Sequence, residues 1–231
     1  MIKQNPFKKL TRFEWTLWIF SLLVIFISSL FSGPEGLLSG IASLIGVTAL
    51  IFIAKGMVLG QITIIIFAVF YGIVSFAFKY YGEVITYLGM SAPMALLALI
   101  SWIKNPFGET GEVKVRERLT FKQILVGVCG ALFVTLLFYF ILKELGNASL
   151  IVSTFSVTTS FFASYLVFLR SPYYALAYTV NDIVLIVLWI VAAAKDLSCI
   201  PMIFCFIMFF INDLYGFYNW KRMQKRQSSV G

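Results

Sequence analysis

Apolar residues run in eight long stretches along the chain, separated by short clusters of charge, Gly, Pro and Asn. None alternates with the period of two that a barrel strand facing lipid requires; Ile62 to Phe70 is apolar almost without interruption. A helix crosses a bilayer in about 17–25 residues. The pattern predicts spanning helices over 15–31, 36–53, 57–78, 84–103, 120–142, 148–169, 172–194 and 197–219. Connections are short except 104–119, which carries two glycines, a proline and charges of both signs. No loop holds a separate soluble domain, so a single membrane domain over 1–231 is expected. Nothing matches the glycine-rich phosphate loop that ends in Gly-Lys-Ser/Thr. Chemistry is therefore expected inside the helix bundle or at its mouths.

Composition agrees. Of 231 residues, 61% are apolar, 17% aromatic and only 12% charged, and the mean hydropathy is +0.95. A soluble domain carries about 25% charged residues, so soluble enzyme folds are excluded. The formal charge of +8, with no histidine, raises the question of nucleic acid. Its distribution answers otherwise. With the N-terminus in the cytoplasm, fifteen of the eighteen Lys and Arg fall in inner segments; Lys79, Lys143 and Lys195 fall outside. That is the positive-inside signature. It puts both termini in the cytoplasm and assigns the cations to anionic lipid headgroups. The first stretch exceeds the 7–15 apolar residues of a signal peptide, and Phe31-Ser32-Gly33 is a poor cleavage site, so it is expected to stay as a helix.

The 104–119 loop also divides the chain into two triplets of spans, 36–103 and 148–219, joined by a linker span at 120–142. The triplets would enter the membrane in the same direction, a parallel 3+1+3 plan preceded by one extra helix. Ala54-Lys55-Gly56 and Leu169-Arg170-Ser171 occupy corresponding turns. Trp102 with Lys104, and Trp220 with Lys221, close corresponding third spans.

Eight acidic residues, Glu14 among them, sit in loops or at helix ends. Asp182 and Asp213 alone fall inside spans. Each costs roughly 2.5–3.5 kcal/mol there unless it faces a cavity or a partner, and no Lys or Arg lies at comparable depth. Both belong to a repeated pattern, Asn181-Asp182…Trp189 and Asn212-Asp213…Trp220. Counted from the span ends at 1.5 Å per residue, Asp182 lies ~15 Å and Asp213 ~9 Å from the cytoplasmic face. Tyr174, Tyr178, Asn181, Leu185 and Trp189 share one helical face. Met208, Asn212, Tyr215 and Asn219 share another, with Asp213, Gly216 and Trp220 on the adjoining stripe. Rings beside amides and carboxyls suit a flat heterocycle joined to a hydroxylated sugar. The candidate binding residues are Gln61, Tyr174, Tyr178, Asn181, Asp182, Trp189, Asn212, Asp213 and Tyr215.

Plainer roles stand beside these. Buried Asn and Asp also cross-link helices at about 0.6–2 kcal/mol, and Tyr218 and Trp220 fit an interfacial belt. Ser153, Ser156, Ser160 and Ser164 form a hydroxyl stripe that suits close packing as well as substrate contact. Gly36, Gly40, Ala42 and Gly46 read as packing positions, and Pro93 and Pro201 as kinks. Cys129, Cys199 and Cys205 lack metal-ligand spacing, so neither metal, cofactor nor disulfide is expected. The deep aspartates leave proton coupling open as an alternative. Aspartyl catalysis would need the two carboxyls in contact, which their unequal depths oppose, so no catalytic residue is expected.

Taken together, the stretch from Ser43 to Trp220 resembles the PnuC family of vitamin transporters, whose best known members carry nicotinamide riboside. The residues concerned are Ala54-Lys55-Gly56, Tyr80-Tyr81-Gly82-Glu83, Trp102-Ile103-Lys104-Asn105, Arg170-Ser171-Pro172-Tyr173-Tyr174, Asn181-Asp182 and Gly216 with Trp220. The resemblance implies an all-α, SWEET-like 3+1+3 fold of eight transmembrane helices and a homotrimer in a bacterial cytoplasmic membrane. It implies facilitated diffusion of the vitamin, trapped inside by phosphorylation. Nicotinamide riboside members look like Glu-Asn-Trp-x-x-Trp-x-x-Val-Asn/Asp at the penultimate helix. Here Tyr174 replaces the first Trp and Ala177 the second, Asn181 is kept, and Tyr178 offers a ring one position on. Thiamine, riboflavin and deoxynucleosides, cargoes of related proteins, are the alternatives.

Overall fold

Among the described residues, all eight apolar stretches fold as helix. The computed structural model describes residues 5–30, 33–77, 81–147 and 149–229. Its helices are α1 (Arg12–Leu30), α2 (Gly33–Ala54), α3 (Val58–Ala77), α4 (Tyr81–Thr86), α5 (Ala92–Lys104), α6 (Phe121–Glu144), α7 (Leu150–Phe168), α8 (Tyr174–Ala193) and α9 (Ile200–Ser228). Lys3, Phe31, Ser32, Lys79 and Tyr80 lie outside the described residues. Six segments have the length and apolarity to cross a membrane: Arg12–Leu30, Val84–Lys104, Phe121–Glu144, Leu150–Phe168, Tyr174–Ala193 and Ile200–Ser228. Gly40–Ala54 and Val58–Ile73 are apolar but shorter. Among the described residues the only β-pairing is two isolated bridges, Met57 with Glu112 and Pro106 with Val113. This is an all-helical, membrane-type protein.

Two boundaries differ from expectation. The fourth stretch is not one helix: Tyr87–Ser91 winds as a π-helix between α4 and α5. Pro93 has no N–H to give to Gly89, and a widened turn there absorbs the missing bond. The last helix begins at Ile200 and runs to Ser228, nine residues past the end expected at 219. Pro201 therefore sits in its first turn, where a missing N–H costs nothing, and does not kink it. Local capping explains other starts. Thr120 accepts from the Gln123 N–H at 3.3 Å, and the Gln123 side chain accepts from the Thr120 N–H at 3.0 Å. Thr11 and Glu14 make the same reciprocal pair at the start of α1, at 2.6 and 3.3 Å.

α2, α3, α5, α7, α8 and α9 pack each against the next in a closed ring. α1 lies outside it against α2 and α9, and α6 lies outside against α7. Leu132, Phe133, Leu136 and Phe140 of α6 and Phe13, Phe20 and Phe26 of α1 are exposed, the apolar perimeter a bilayer would cover. Gly40 and Gly46 are packing positions: a Cβ would lie 2.1 Å from Ser29 Oγ at the first and 2.6 Å from Phe209 at the second.

One end of the ring is closed by a doubled set of bonds. α2 ends with the Gly56 N–H donating to Ile53 O (2.8 Å) and the Met57 N–H to Phe52 O (2.9 Å). α7 ends the same way, Arg170 donating to Val167 O (2.9 Å) and Ser171 to Leu166 O (3.0 Å). Gly56 and Arg170 both adopt left-handed backbone, φ 63° and 58°; glycine does so without cost, arginine does not. The Trp220 indole donates to Ile53 O at 2.9 Å and the Trp102 indole to Val167 O at 3.1 Å. Asn219 donates to Ala54 O and Ser101 to Phe168 O, both at 2.8 Å. The 104–119 loop ties the two turns together, the Val113 N–H donating to Gly56 O (2.9 Å) and the Arg116 N–H to Arg170 O (3.0 Å).

Candidate functional site

The ring lines a partly open cavity of about 120 Å3, space for several waters at ~10–15 Å3 each. Its floor is Ile53, Val167 and Tyr174, and its far end reaches Gly82 and Asn147. Beneath the floor the fully buried Trp102 and Trp220 close the ring, with the Tyr174 and Trp220 rings edge to face at 4.9 Å. Among the described lining residues none is Lys or Arg.

Six of the nine candidate residues line this cavity: Gln61, Tyr174, Tyr178, Asn181, Asp182 and Asp213. The α7 hydroxyl stripe holds the α8 face in place. Ser156, Thr159 and Ser160 all donate to the Asn181 side-chain oxygen, at 3.3, 2.7 and 3.0 Å. Three hydroxyls around one oxygen fix which end of the amide faces α7. Ser164 and the Tyr178 hydroxyl are hydrogen-bonded at 2.7 Å. Ser153, Ser156, Ser160 and Ser164 all line the cavity, as does Tyr87 of the π-helix. The serine spacing was the available signal; a π-turn leaves no period in sequence, and Tyr87 was missed.

Two buried polar atoms here have no hydrogen-bond partner: Gln61 Nε2, a donor, and Asp182 Oδ2, an acceptor. Both residues are 2% exposed. An unmade bond at such a site costs about 1–3 kcal/mol, so these atoms point to a polar ligand that completes them.

Asp182 and Asp213 line the same cavity and lie near enough to interact, which corrects the unequal depths expected. Tyr174 and Trp220 meet and are the true common level. Asp182 is eight residues above the first and Asp213 seven above the second, ~12 and ~10 Å along antiparallel helices. The geometric objection to aspartyl chemistry falls with it.

The other three candidates face elsewhere. Asn212 donates to Ser21 Oγ at 3.1 Å and Met208 O at 2.8 Å, so its amide N–H2 binds α1. The Tyr215 hydroxyl donates to Glu14 Oε1 at 2.5 Å. Trp189 is half-buried in the core cluster and is not among the lining residues. The Asn-Asp-x6-Trp pattern repeats along antiparallel helices, so its two tryptophans land at opposite ends. Glu14, expected at a helix end, is fully buried and ion-paired with Lys55 at 3.2 Å.

A helical membrane-type bundle that shuts a polar, unfinished cavity inside its ring has the build of a small-molecule transporter. Comparison with known proteins agrees. The family described as "Nicotinamide mononucleotide transporter" matches residues 36–222, and the chain belongs to it. A nicotinamide riboside transporter PnuC from Neisseria mucosa is 29% identical over 231 residues, covering 98% of this chain and 87% of that one. The PnuC of Haemophilus influenzae is 25% identical over 210 residues, 90% of each. The crystal structure of a vitamin B3 transporter PnuC superimposes with a TM-score of 0.80 at 29% identity over 94% of both chains. The resemblance to PnuC proteins read from the sequence is borne out, and this is a multi-pass membrane transporter.

Proposed function

We propose that this transporter carries nicotinamide riboside by uniport, with cytoplasmic phosphorylation of the vitamin drawing it inward. The carrying observation is the cavity with its orphaned donor, Gln61 Nε2, and orphaned acceptor, Asp182 Oδ2. Relatives named for nicotinamide riboside support the cargo. The family description names the mononucleotide, but a phosphate needs cationic partners and the described lining offers none. The chemistry therefore favours the nucleoside. Asn181 and Gln61 bind ribose hydroxyls or the carboxamide, Tyr174 and Tyr178 flank the ring, and Asp182 and Asp213 complete the polar wall. Asn212, Tyr215 and Trp189 act in holding the bundle rather than the cargo.

The doubled turn and tryptophan bonds support a SWEET-like 3+1+3 plan of eight spans: α2, α3 and α4–α5; the linker α6; then α7, α8 and α9, with α1 as the extra helix. The cation asymmetry supports cytoplasmic termini in a bacterial inner membrane, with anionic lipid against the basic face. A homotrimer rests on the family resemblance. Labelled nicotinamide riboside should enter proteoliposomes without ATP or an ion gradient, while the mononucleotide should not. Good uptake of thiamine, riboflavin or a deoxynucleoside with none of nicotinamide riboside would overturn the cargo and keep the class.

A further inference from the structure

α6 and α8 both pack on α7, and a groove of about 530 Å3 runs between them. Val128 and Leu132 of α6 form one wall, Ala177 and Val180 of α8 the other, and Phe162 and Leu166 of α7 the floor. Val128, Leu132 and Val180 are exposed, so the groove opens on the apolar perimeter. At its far end the hydroxyls of Thr158 and Thr159 are engaged, with Thr135 at 2.6 Å and Asn181 at 2.7 Å. What the groove offers an occupant is apolar surface. Thr158 and Leu166 stand ~12 Å apart along α7 at 1.5 Å per residue, close to the ~15 Å of hydrocarbon in one leaflet.

The near end is basic. Tyr173 lines it there, and the Lys221 ammonium lies 5.1 Å from the centre of the Tyr173 ring. Lys221 also donates to Gln224 Oε1 at 2.9 Å, and Gln224 Nε2 donates to the Arg116 carbonyl at 2.8 Å. One amide thus ties the two basic residues together. Arg116 Nε donates to Leu169 O at 3.1 Å, one turn beyond Leu166. In Arg170, next along, Nη1 donates to Ser101 Oγ at 3.1 Å and Nε is buried without a partner. Ion pairs among the described residues join Lys55 to Glu14 and Arg226 to Glu112. Arg116, Arg170 and Lys221 belong to neither pair, and nor does the exposed Glu117 beside Arg116. Three cations therefore gather, without a counter-ion, at the mouth of an apolar groove. Guanidinium and ammonium groups in such a place suit a phosphate head group.

We propose that this groove seats one anionic phospholipid: an acyl chain lies along α7 between α6 and α8, and its phosphodiester meets Lys221, Arg116 and Arg170. This rests on the contact of the basic face with anionic lipid read above, and adds to it a seat for a single molecule. The lipid joins the linker helix to the second triplet by filling the space that α7 leaves between α6 and α8. A second copy of the chain fits the mouth less well, because it would have to bring acids to three cations, and Glu14 and Glu112 are already paired.

The test uses the full chain in mild detergent. Native mass spectrometry counts bound lipid, and the melting temperature is followed as lipid is added. Phosphatidylglycerol should bind as one saturable molecule and raise the melting temperature. Phosphatidylcholine with the same acyl chains has no net charge and should bind at least fivefold more weakly. Glycerol phosphate, which has the phosphate and no chains, should not compete. Arg116→Gln and Lys221→Gln should each weaken phosphatidylglycerol about fivefold, one charge apiece, and leave phosphatidylcholine unchanged. Arg116→Lys, which keeps the charge, should retain most of the affinity. Leu176→Trp, on the α8 wall, should fill the groove and displace both lipids; the charge variants decide alone if it does not fold. Many phosphatidylglycerols bound without saturation, and untouched by Leu176→Trp, would overturn the seat and leave the general lipid contact standing. Equal affinity for the two lipids would overturn both. Competition by glycerol phosphate would give the cations to a free phosphate, and a lipid-free oligomer broken by Leu176→Trp would give the groove to a second copy; either result overturns the proposal.

Discussion

Trp102 and Trp220 pack with ring centroids 5.4 Å apart and planes tilted by 48°, and each donates its indole N–H to the last turn of a helix distant in sequence. Trp220, in α9, caps α2 at Ile53; Trp102, in α5, caps α7 at Val167. The two bonds are the same bond made twice, and they seal the cavity beneath Tyr174.

Trp102→Phe or Trp220→Phe keeps the ring but leaves a buried carbonyl without its donor. Each should cost about 1–3 kcal/mol of stability, read as a lower melting temperature in detergent. The double variant should lose less than the sum, because the two rings touch.

Glu14→Gln removes the charge partner of Lys55 and leaves an amide oxygen that can still accept from Tyr215. Breaking one side of a buried pair costs about 3–5 kcal/mol; Lys55 keeps some solvent contact, at 14% side-chain exposure, so the lower figure is expected. Combining it with Lys55→Met should recover part of the loss. Full stability of the single variant would show that packing and the bonds of Trp18 and Ser21 hold α1 without the ion pair.

Gln61→Met should separate binding from folding. Nε2 is buried and unpaired, so replacing the amide with an apolar chain of similar length should leave stability unchanged or raise it by up to ~1 kcal/mol. Affinity for nicotinamide riboside should fall about 10–100-fold, the worth of one to two hydrogen bonds. Lower stability with unchanged affinity would assign Gln61 to packing.

Asn181→Ala strips the shared acceptor from Ser156, Thr159 and Ser160. Both stability and binding should fall, affinity about 10–100-fold. Ser160→Ala, which removes one donor of three, should cost under ~1 kcal/mol and weaken binding less than tenfold.

The membrane class and the approximate place of the helices were legible because they follow from local composition: apolar runs of spanning length have few other folds open to them. So was the need of Asp182 and Asp213 for a cavity or a partner, since a carboxyl in a span is expensive wherever the helix goes; both line the cavity. Facing is another matter. Asn181 and Asn212 stand in the same local pattern, yet one amide meets three hydroxyls in the cavity and the other meets Ser21 on α1. Tyr215 lies on a stripe that reads as inward, and Glu14 of a helix 201 positions away claims it.

What the sequence by itself determined is thus each element and the chemistry it carries, because helix formation and hydrophobic burial depend on neighbours in the chain. What only the tertiary structure decided is which polar faces meet. Asp182 and Asp213 come level because α8 and α9 run antiparallel from the Tyr174–Trp220 contact. The hydroxyls of α7 meet Asn181 because the ring closes between α5 and α8. These pairings depend on helix rotation and tilt, which are set by packing between segments far apart in the chain and leave no period in any one of them.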